Sequence, residues 1–158
     1  MAVHRAVQGN GNTMKAVVQR ILEASVEVEG KIVGKTGQGI LVYLAIIKGD
    51  TLEKANALAE KIAYYRIFPD QEHKMNLSLL DVRGEALVVS QFTLAADCRK
   101  GRRPGFDLAA SPEDALHLYQ KFVEKLQSFN ITTATGIFGA YMEVSSINHG
   151  PVTFLFEI

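Results

Sequence analysis

The segment Ser90-Gln91-Phe92-Thr93-Leu94 combines the residues of this sequence that are best suited to form a working surface. It follows the apolar residues 86–89, which predict a buried strand. Strand ends in mixed α/β folds place side chains and free backbone N–H groups at the edge of a rigid sheet, where sites recur. Thr93 invites interpretation as a nucleophile. The alternative, favoured by periodicity alone, is a strand whose Phe92 and Leu94 simply pack in the core.

Common catalytic motifs are absent from the sequence. It contains no Gly-x-Ser-x-Gly elbow, no Gly-x-x-x-x-Gly-Lys phosphate loop and no His-Glu-x-x-His zinc pattern. We therefore expect neither a metal nor a cofactor. Each of the four histidines is more simply a solvent-facing residue than a general base: His4 lies near the start, His73 in a charged turn, His117 on the second predicted helix, and His149 before Gly150-Pro151.

A basic loop concentrates four cations in five residues, Arg99, Lys100, Arg102 and Arg103 around Gly101. Lysine and arginine side chains near phosphates release counterions and strengthen binding at low salt, so this loop is the natural candidate for contacting nucleic-acid phosphates. A solvated charged loop without a ligand is an equally simple interpretation. The residues alone leave both open.

The segment Asn148-His149-Gly150-Pro151-Val152-Thr153 lies near the end of the sequence. A prolyl bond after glycine can be cis at little cost, and glycine lets a ligand or a second backbone approach closely. Together the two residues could direct two carbonyl oxygens the same way. Without further information, an ordinary turn before the last strand is the simpler interpretation.

The elements that must position these segments follow from periodicity and from start and stop signals. Asp50 with Glu53 predicts the start of a first helix, which buries Leu52, Ala55, Ala59, Ile62 and Ala63 and ends at Phe68-Pro69. Ser111 and Pro112 predict the start of a second helix, which buries Ala115, Leu118, Tyr119, Phe122, Val123 and Leu126. Strands are predicted over residues 14–22, 25–29, 31–33, 40–47, 75–80, 85–90, 131–135, 141–145 and 152–158, with a loop over 95–110.

Strands outnumber helices, which predicts an α/β fold: a sheet-rich roll or barrel-like mixed sheet with two main helices, rather than a doubly wound fold. The 158 residues and 47% hydrophobic content fit one domain, which we place at residues 14–158. Residues 1–13 have little to bury. We interpret them as a disordered leader, the product of an upstream start or an expression remnant.

Composition limits the classes of function. Lysine plus arginine equals aspartate plus glutamate at 17 each, so no overall charge attracts nucleic acid or membrane. The single cysteine, Cys98, excludes an internal disulfide framework and agrees with the reducing cytoplasm. No apolar run approaches the roughly 18 residues of a membrane span. We expect a cytoplasmic protein without a membrane partner.

Three segments taken together resemble the D-aminoacyl-tRNA deacylases: Met14-Lys15-Ala16-Val17-Val18-Gln19-Arg20, Ser90-Gln91-Phe92-Thr93-Leu94, and Asn148-x-Gly150-Pro151-Val152-Thr153. Phe138-Gly139-Ala140-Tyr141-Met142 and the Arg-Lys-Gly-Arg-Arg-Pro loop are also similar to that family. The resemblance covers residues 14–158 and leaves the leader outside. Cys98 and Gly105 depart from the Thr and Ser expected in the family, and His149 fills a variable position.

The resemblance implies the deacylase fold and a homodimeric hydrolase, which cleaves the ester joining a D-amino acid or glycine to the 3′ end of tRNA. It also implies that Gly150-Pro151, as a Gly-cisPro unit, enters the pocket of the partner chain and excludes L-amino acids. Ser90, Gln91, Phe92 and Thr93 would form the catalytic wall of that pocket. The residues implied in substrate binding and chiral selection are Gly150, Pro151, Arg20, Asn148, Met142 and Ala140.

Within the resemblance, backbone N–H groups near Phe92 and Thr93 would stabilise the oxyanion, water would be the nucleophile, and the ribose 2′-hydroxyl would assist. The basic loop would contact tRNA phosphates. Two alternatives remain open. One is a non-catalytic nucleic-acid-binding dimer of the same fold, and the other is an esterase that uses Thr93 as nucleophile, although no histidine or lysine is near Thr93 in sequence.

Overall fold

The computed structural model describes residues 13–158, so the interpretation of the leader lies, except for Thr13, outside the described residues. The elements in chain order are β1 (Lys15–Val28), β2 (Lys31–Thr36), β3 (Gly39–Ala45), α1 (Leu52–Tyr64), β4 (Phe68–Pro69), β5 (Met75–Leu77), β6 (Glu85–Ser90), a 3₁₀ turn (Phe92–Ala95), α2 (Pro112–Ser128), β7 (Thr133–Thr135) and β8 (Glu143–Glu157). No helix in this part of the chain is long and apolar enough to cross a bilayer.

The main sheet is organised around β1. The first half of β1 pairs antiparallel with β3 and the second half with β2, while β8 follows the opposite edge along its length. Strands β3, β6 and β7 are parallel neighbours. The sheet curves until β2 meets β7, where a Cβ on Gly34 would lie 2.3 Å from the Thr135 carbonyl oxygen. The prediction of a barrel-like mixed sheet with two main helices is confirmed.

Both faces of the central strands are buried, as the apolar run over residues 40–47 predicts. In β3, Ile40, Val42 and Leu44 pack in the larger cluster with the two helices. Leu41 packs on the opposite face in a smaller cluster that includes Leu87 and Val89 of β6. Because the side chains alternate in this way, β3 and β6 form a rigid base whose carboxyl ends can hold a site.

Of the two predicted helix caps, the structure confirms one and contradicts the other. Ser111 caps α2 by accepting the N–H of Asp114, with Pro112 at the first helical position, as predicted. The prediction that Asp50 caps α1 is wrong, because Thr51 is the cap and the Asp50 carboxylate accepts the Ile47 N–H at 2.6 Å in the preceding turn. Leu52 was expected to be buried but is 44% exposed, because it lies in the first turn outside the stripe that faces the sheet.

Two further boundaries differ from the predictions. Helix α1 ends at Tyr64 rather than at Phe68-Pro69, and those two residues form β4, which pairs with β5. The turn and the two separate strands predicted around Gly150-Pro151 are wrong, because β8 is one 15-residue strand. It continues through the Gly-Pro unit since β1 supplies pairing partners on both sides of it.

Candidate active site

A cleft of about 560 Å³ opens at the carboxyl ends of β3 and β6, beside the first turn of α2. Clefts of this size at such strand ends hold small-molecule groups in many α/β folds. The lining comes from the end of β3 (Leu44, Ala45, Ile46), the end of β6 and the residues after it (Val89, Ser90, Gln91, Phe92), the start of α2 with the residues before it (Ala109, Ala110, Pro112, Ala115), and the connection into β8 (Phe138, Gly139, Ala140, Tyr141, Met142, Val144).

The wall of the cleft after β6 is formed by backbone as much as by side chains. The Gln91 N–H donates to the Leu44 carbonyl at 2.8 Å, which fixes the end of β6 against β3. The chain then enters the 3₁₀ turn at Phe92. As the first two residues of that turn, Phe92 and Thr93 have backbone N–H groups with no acceptor inside it. The turn therefore presents two donors next to the cleft.

The Thr93 hydroxyl is exposed and accepts a hydrogen bond from the Gln91 side-chain amide. An amide donor cannot remove the hydroxyl proton, so this contact does not activate Thr93 as a nucleophile. Phe92 is 58% exposed, and its ring lies 5.1 Å from that of Phe106 at an angle of 57°. The pair joins the wall of the cleft that follows β6 to the loop over residues 95–110.

That loop is held by backbone pairing. Asp97 and Gly105 form an antiparallel bridge, with hydrogen bonds of 2.8 and 3.2 Å, which closes the basic loop at its base. Farther along, Ala109 bridges to Ile47, and the Lys48 N–H donates to the Leu108 carbonyl at 2.9 Å. The loop over residues 95–110 is therefore fixed next to the cleft, and the Lys48 backbone is held against the end of that loop.

The four cations of the basic loop are not equivalent. The Arg99 guanidinium pairs with the Asp97 carboxylate through contacts of 2.9 and 2.8 Å. The hydrogen bonds from Arg99 hold the pKa of the Asp97 carboxyl well below its usual range. Within residues 13–158, no carboxylate lies within 4.0 Å of the charged groups of Lys100, Arg102 or Arg103. These three cations are free to meet a polyanion, whereas Arg99 holds the loop together.

Gly150-Pro151 lies on a wide bulge of β8. Between the paired positions Thr153 and Asn148, four residues of β8 face the single residue Arg20 of β1. The Gly150-Pro151 peptide bond is cis, and both residues are exposed. Gly150 has φ +144°, and a Cβ there would lie 2.5 Å from Val152 Cγ2, so the bulge requires glycine.

Two side chains fix this bulge. Arg20, which is only 9% exposed, donates from Nε to the His149 carbonyl at 3.0 Å and from Nη1 to the buried Ile67 carbonyl at 2.8 Å. Asn148 accepts the Val152 N–H at 3.1 Å and donates to Thr153 Oγ1 at 3.2 Å. The exposed Gly150-Pro151 unit is thus held in place by the hydrogen bonds of Arg20 and Asn148.

Within one chain, the structure brings some of the predicted residues together and not others. Ser90, Gln91, Phe92, Ala140 and Met142 all line the cleft. The second group consists of Gly150, Pro151 and Asn148 at the β8 bulge and Arg20 on the facing β1, and none of these residues lines the cleft. Within one chain, the cleft therefore contains the first group and not the second.

Several residues beside this site were not predicted from the sequence. Ala109 and Ala110 line the cleft, Phe106 packs on Phe92, and Lys48 bonds to the end of the loop over residues 95–110. The Ala and Phe positions carry no chemical signal in sequence. The one signal for Lys48 is the rule that the residue after a central strand lies at the same sheet edge as its neighbours.

The fold and the cleft define a class: barrel-like α/β proteins with two helices and a cleft at the carboxyl ends of central strands. The family described as "D-Tyr-tRNA(Tyr) deacylase" matches residues 17–157, and the chain belongs to that family. A protein of Pelobacter propionicus named D-aminoacyl-tRNA deacylase is 59% identical over 144 residues, covering 91% of this chain and 99% of that protein.

Two solved structures have the same fold. One, titled "c-Myc DNA Unwinding Element Binding Protein", superposes with a TM-score of 0.85 at 40% identity and covers 91% of this chain and 98% of its own. The other, titled "Structural Analysis of a probable eukaryotic D-amino acid tRNA deacylase", has a TM-score of 0.80 at 20% identity and covers 92% and 100%. At that identity the second supports the fold alone.

Proposed function

We propose that the protein hydrolyses the ester that joins a D-amino acid to the 3′ end of tRNA. The observation that carries the proposal is the cleft lined by Ser90, Gln91 and Phe92, in a chain whose residues 17–157 match the deacylase family. Water attacks the ester carbonyl carbon, the carbon–oxygen bond to the ribose breaks, and free D-amino acid and tRNA are released. Such a substrate is found where translation takes place, so we expect the protein in the cytoplasm.

Chiral selection in this proposal uses a homodimer. The exposed Gly150-Pro151 unit of one copy enters the cleft of the other, and its carbonyl oxygens hold the substrate ammonium. The α-carbon is then fixed, so that an L side chain meets backbone while hydrogen or a D side chain points outward. A thousandfold preference requires about 4 kcal/mol, which a clash with fixed backbone can supply. The hydrogen bond that Arg20 donates to the His149 carbonyl and the bond that Asn148 accepts from the Val152 N–H support such rigidity.

The chemistry relies on backbone donors and on the substrate itself. The N–H groups of Phe92 and Thr93 stabilise the negative charge that develops on the carbonyl oxygen, a role worth about 3 kcal/mol per donor in other enzymes. The ribose 2′-hydroxyl next to the ester assists the attacking water. This division agrees with a cleft whose lining, among residues 13–158, includes no histidine, lysine or carboxylate.

The test compares D-tyrosyl-tRNA with L-tyrosyl-tRNA, using purified protein. We expect cleavage of the D form only, loss of cleavage when the terminal adenosine lacks its 2′-hydroxyl, and most activity retained in Thr93→Ala. Activity on the 2′-deoxy substrate together with an inactive Thr93→Ala would instead assign the reaction to Thr93 as nucleophile. Glycyl-tRNA should also be cleaved, because exclusion cannot act on a residue without a side chain; its complete resistance would contradict selection by exclusion.

One observation favours a second candidate, a non-catalytic nucleic-acid-binding dimer. A 40% identical relative of the same fold carries a title that describes DNA binding. The free cations of the basic loop would serve that role equally well. Binding of tRNA without hydrolysis of any D-aminoacyl-tRNA would support this candidate over the enzyme.

A further inference from the structure

Tyr141 is an exposed aromatic residue that the proposed chemistry does not use. Its side chain is 93% exposed, more than any other large hydrophobic residue in the described part of the chain. The other exposed aromatic of the cleft, Phe92, has Phe106 against its ring, whereas Tyr141 forms no aromatic pair and no side-chain hydrogen bond within residues 13–158. A ring left in water at the mouth of a cleft has its face available for stacking.

The backbone holds this ring in a defined place. The Ala140 N–H donates to the Ile137 carbonyl at 3.1 Å, and Gly139 in the intervening turn has φ +77°. After Tyr141, the chain is fixed again at Met142, whose sulfur lies 2.4 Å from the position a Cβ on Gly136 would take. Because the backbone is fixed beside Tyr141, the ring projects from a defined position at the edge of the cleft.

The surroundings indicate which ligand the ring suits. Tyr141 is part of the cleft lining, and the same cleft is bordered by Phe92 and by the loop that carries Lys100, Arg102 and Arg103. Exposed aromatic rings next to unpaired cations are the combination that binds single-stranded nucleic acid, since bases stack on the rings and phosphates meet the cations. The unpaired 3′ end of a tRNA is a single strand of this kind.

We propose that Tyr141 stacks on a base of the tRNA 3′ end that precedes the terminal adenosine. This inference rests on the proposed function, in which the terminal nucleoside and its ester occupy the cleft beside Ser90, Gln91 and Phe92. In that arrangement the nucleotide that precedes the terminal adenosine lies outside the cleft of about 560 Å³, where the exposed ring of Tyr141 can meet it. Tyr141 would then help the protein to recognise RNA beyond the scissile ester.

The test uses Tyr141→Ala and Tyr141→Phe in the full chain. The matched control is Tyr64→Ala, which changes a 54% exposed tyrosine that packs against Phe129 after the far end of α2. Three quantities are measured: kcat/KM for D-tyrosyl-tRNA, and the inhibition constants of adenosine and of the trinucleotide CCA against that reaction. Loss of one base–aromatic stack corresponds to about tenfold in binding.

We expect Tyr141→Ala to lower kcat/KM about tenfold and to raise the inhibition constant of CCA by a similar factor, while that of adenosine is unchanged. Tyr141→Phe keeps the ring and should match the wild type, as should Tyr64→Ala. Equal weakening of adenosine and CCA, no change in either, or an equal defect in Tyr141→Phe would overturn the inference. So would a changed oligomeric size of Tyr141→Ala in sedimentation, which would assign the ring to a subunit contact.

The same measurements distinguish a failure of the stacking role of Tyr141 from a failure of the proposed deacylase activity. Wild-type protein that cleaves no D-tyrosyl-tRNA contradicts the proposed function, and the role of Tyr141 fails with it. Wild-type protein that is active, with a normal Tyr141→Ala, contradicts the stacking role alone.

Discussion

Replacing Arg20 should loosen the Gly150-Pro151 bulge and destabilise the fold at the same time. Its guanidinium makes one buried hydrogen bond to the Ile67 carbonyl and one partly buried bond to the His149 carbonyl. Bonds from a charged donor contribute about 1.5–3 kcal/mol each, and a buried carbonyl left without a donor adds to the loss. We expect Arg20→Ala to lower the free energy of unfolding by about 3–5 kcal/mol, and Arg20→Lys, which can serve one acceptor, by about half of that.

For a domain of this size, 1 kcal/mol corresponds to a change in melting temperature of about 2–4 °C, so thermal unfolding resolves these effects readily. Gln19→Ala is the matched control, because Gln19 also bonds across to β8, at Thr153 Oγ1, but in an exposed position. We expect it to cost less than about 1 kcal/mol. The preference for D- over L-tyrosyl-tRNA should fall in Arg20→Lys, since the bulge would no longer be fixed. Arg20→Ala melting within 2 °C of the control would refute the reasoning.

Two further predictions concern charge. In a plot of the logarithm of the tRNA binding constant against the logarithm of the salt concentration, two variants should have a shallower slope: Lys48→Ala, and separately the double variant Arg102→Ala with Arg103→Ala. The slope should fall by about 0.7–0.9 for each lost phosphate contact, whereas Lys125→Ala at the far end of α2 should leave it unchanged. Equal slopes in all variants would remove the basic loop from the binding surface. Burial raises the pKa of Tyr119 to about 12, so its neutral form stabilises the fold fully below pH 10, and up to about 3 kcal/mol is lost as the pH rises through 12. Tyr119→Phe has no phenol to ionise, although it also loses the 2.8 Å hydrogen bond to the Val88 carbonyl. Between pH 8 and pH 12, its free energy of unfolding in urea should therefore fall less than that of the wild type.

The sequence predicted correctly those elements whose formation depends only on residues within the element itself. The continuous apolar run of β6 and the Ser111-Pro112 start of α2 belong to this group. Asp50 failed as a helix cap because a carboxylate next to a turn has two possible uses, and only the folded turn shows that the Ile47 N–H takes it. Likewise, Gly150-Pro151 has the composition of a turn, and only the pairing of β8 with β1 makes it a bulge within a strand.

The candidate site was predictable only in pieces. Ser90, Gln91 and Phe92 could be placed at a strand end from their own pattern, but their neighbours Ala140 and Met142 follow from the family resemblance. Lys48 is held against the loop over residues 95–110 through one backbone hydrogen bond to Leu108, a contact between segments 60 residues apart in sequence. Pairings of that range leave no local trace in composition or periodicity.

The pairing of β1 with β8 also sets an order of assembly. Gln19 and Thr153, which face each other across this ladder, are 134 residues apart in sequence. During synthesis, which proceeds from the amino end, β1 emerges first and keeps one edge without its partner until β8 has left the ribosome. Contacts of such long range form late, and an exposed strand edge can meanwhile pair with another chain. The bulge that carries Gly150-Pro151 therefore takes shape among the last parts of the molecule, and truncation or stalling before β8 leaves a sheet that is open to aggregation.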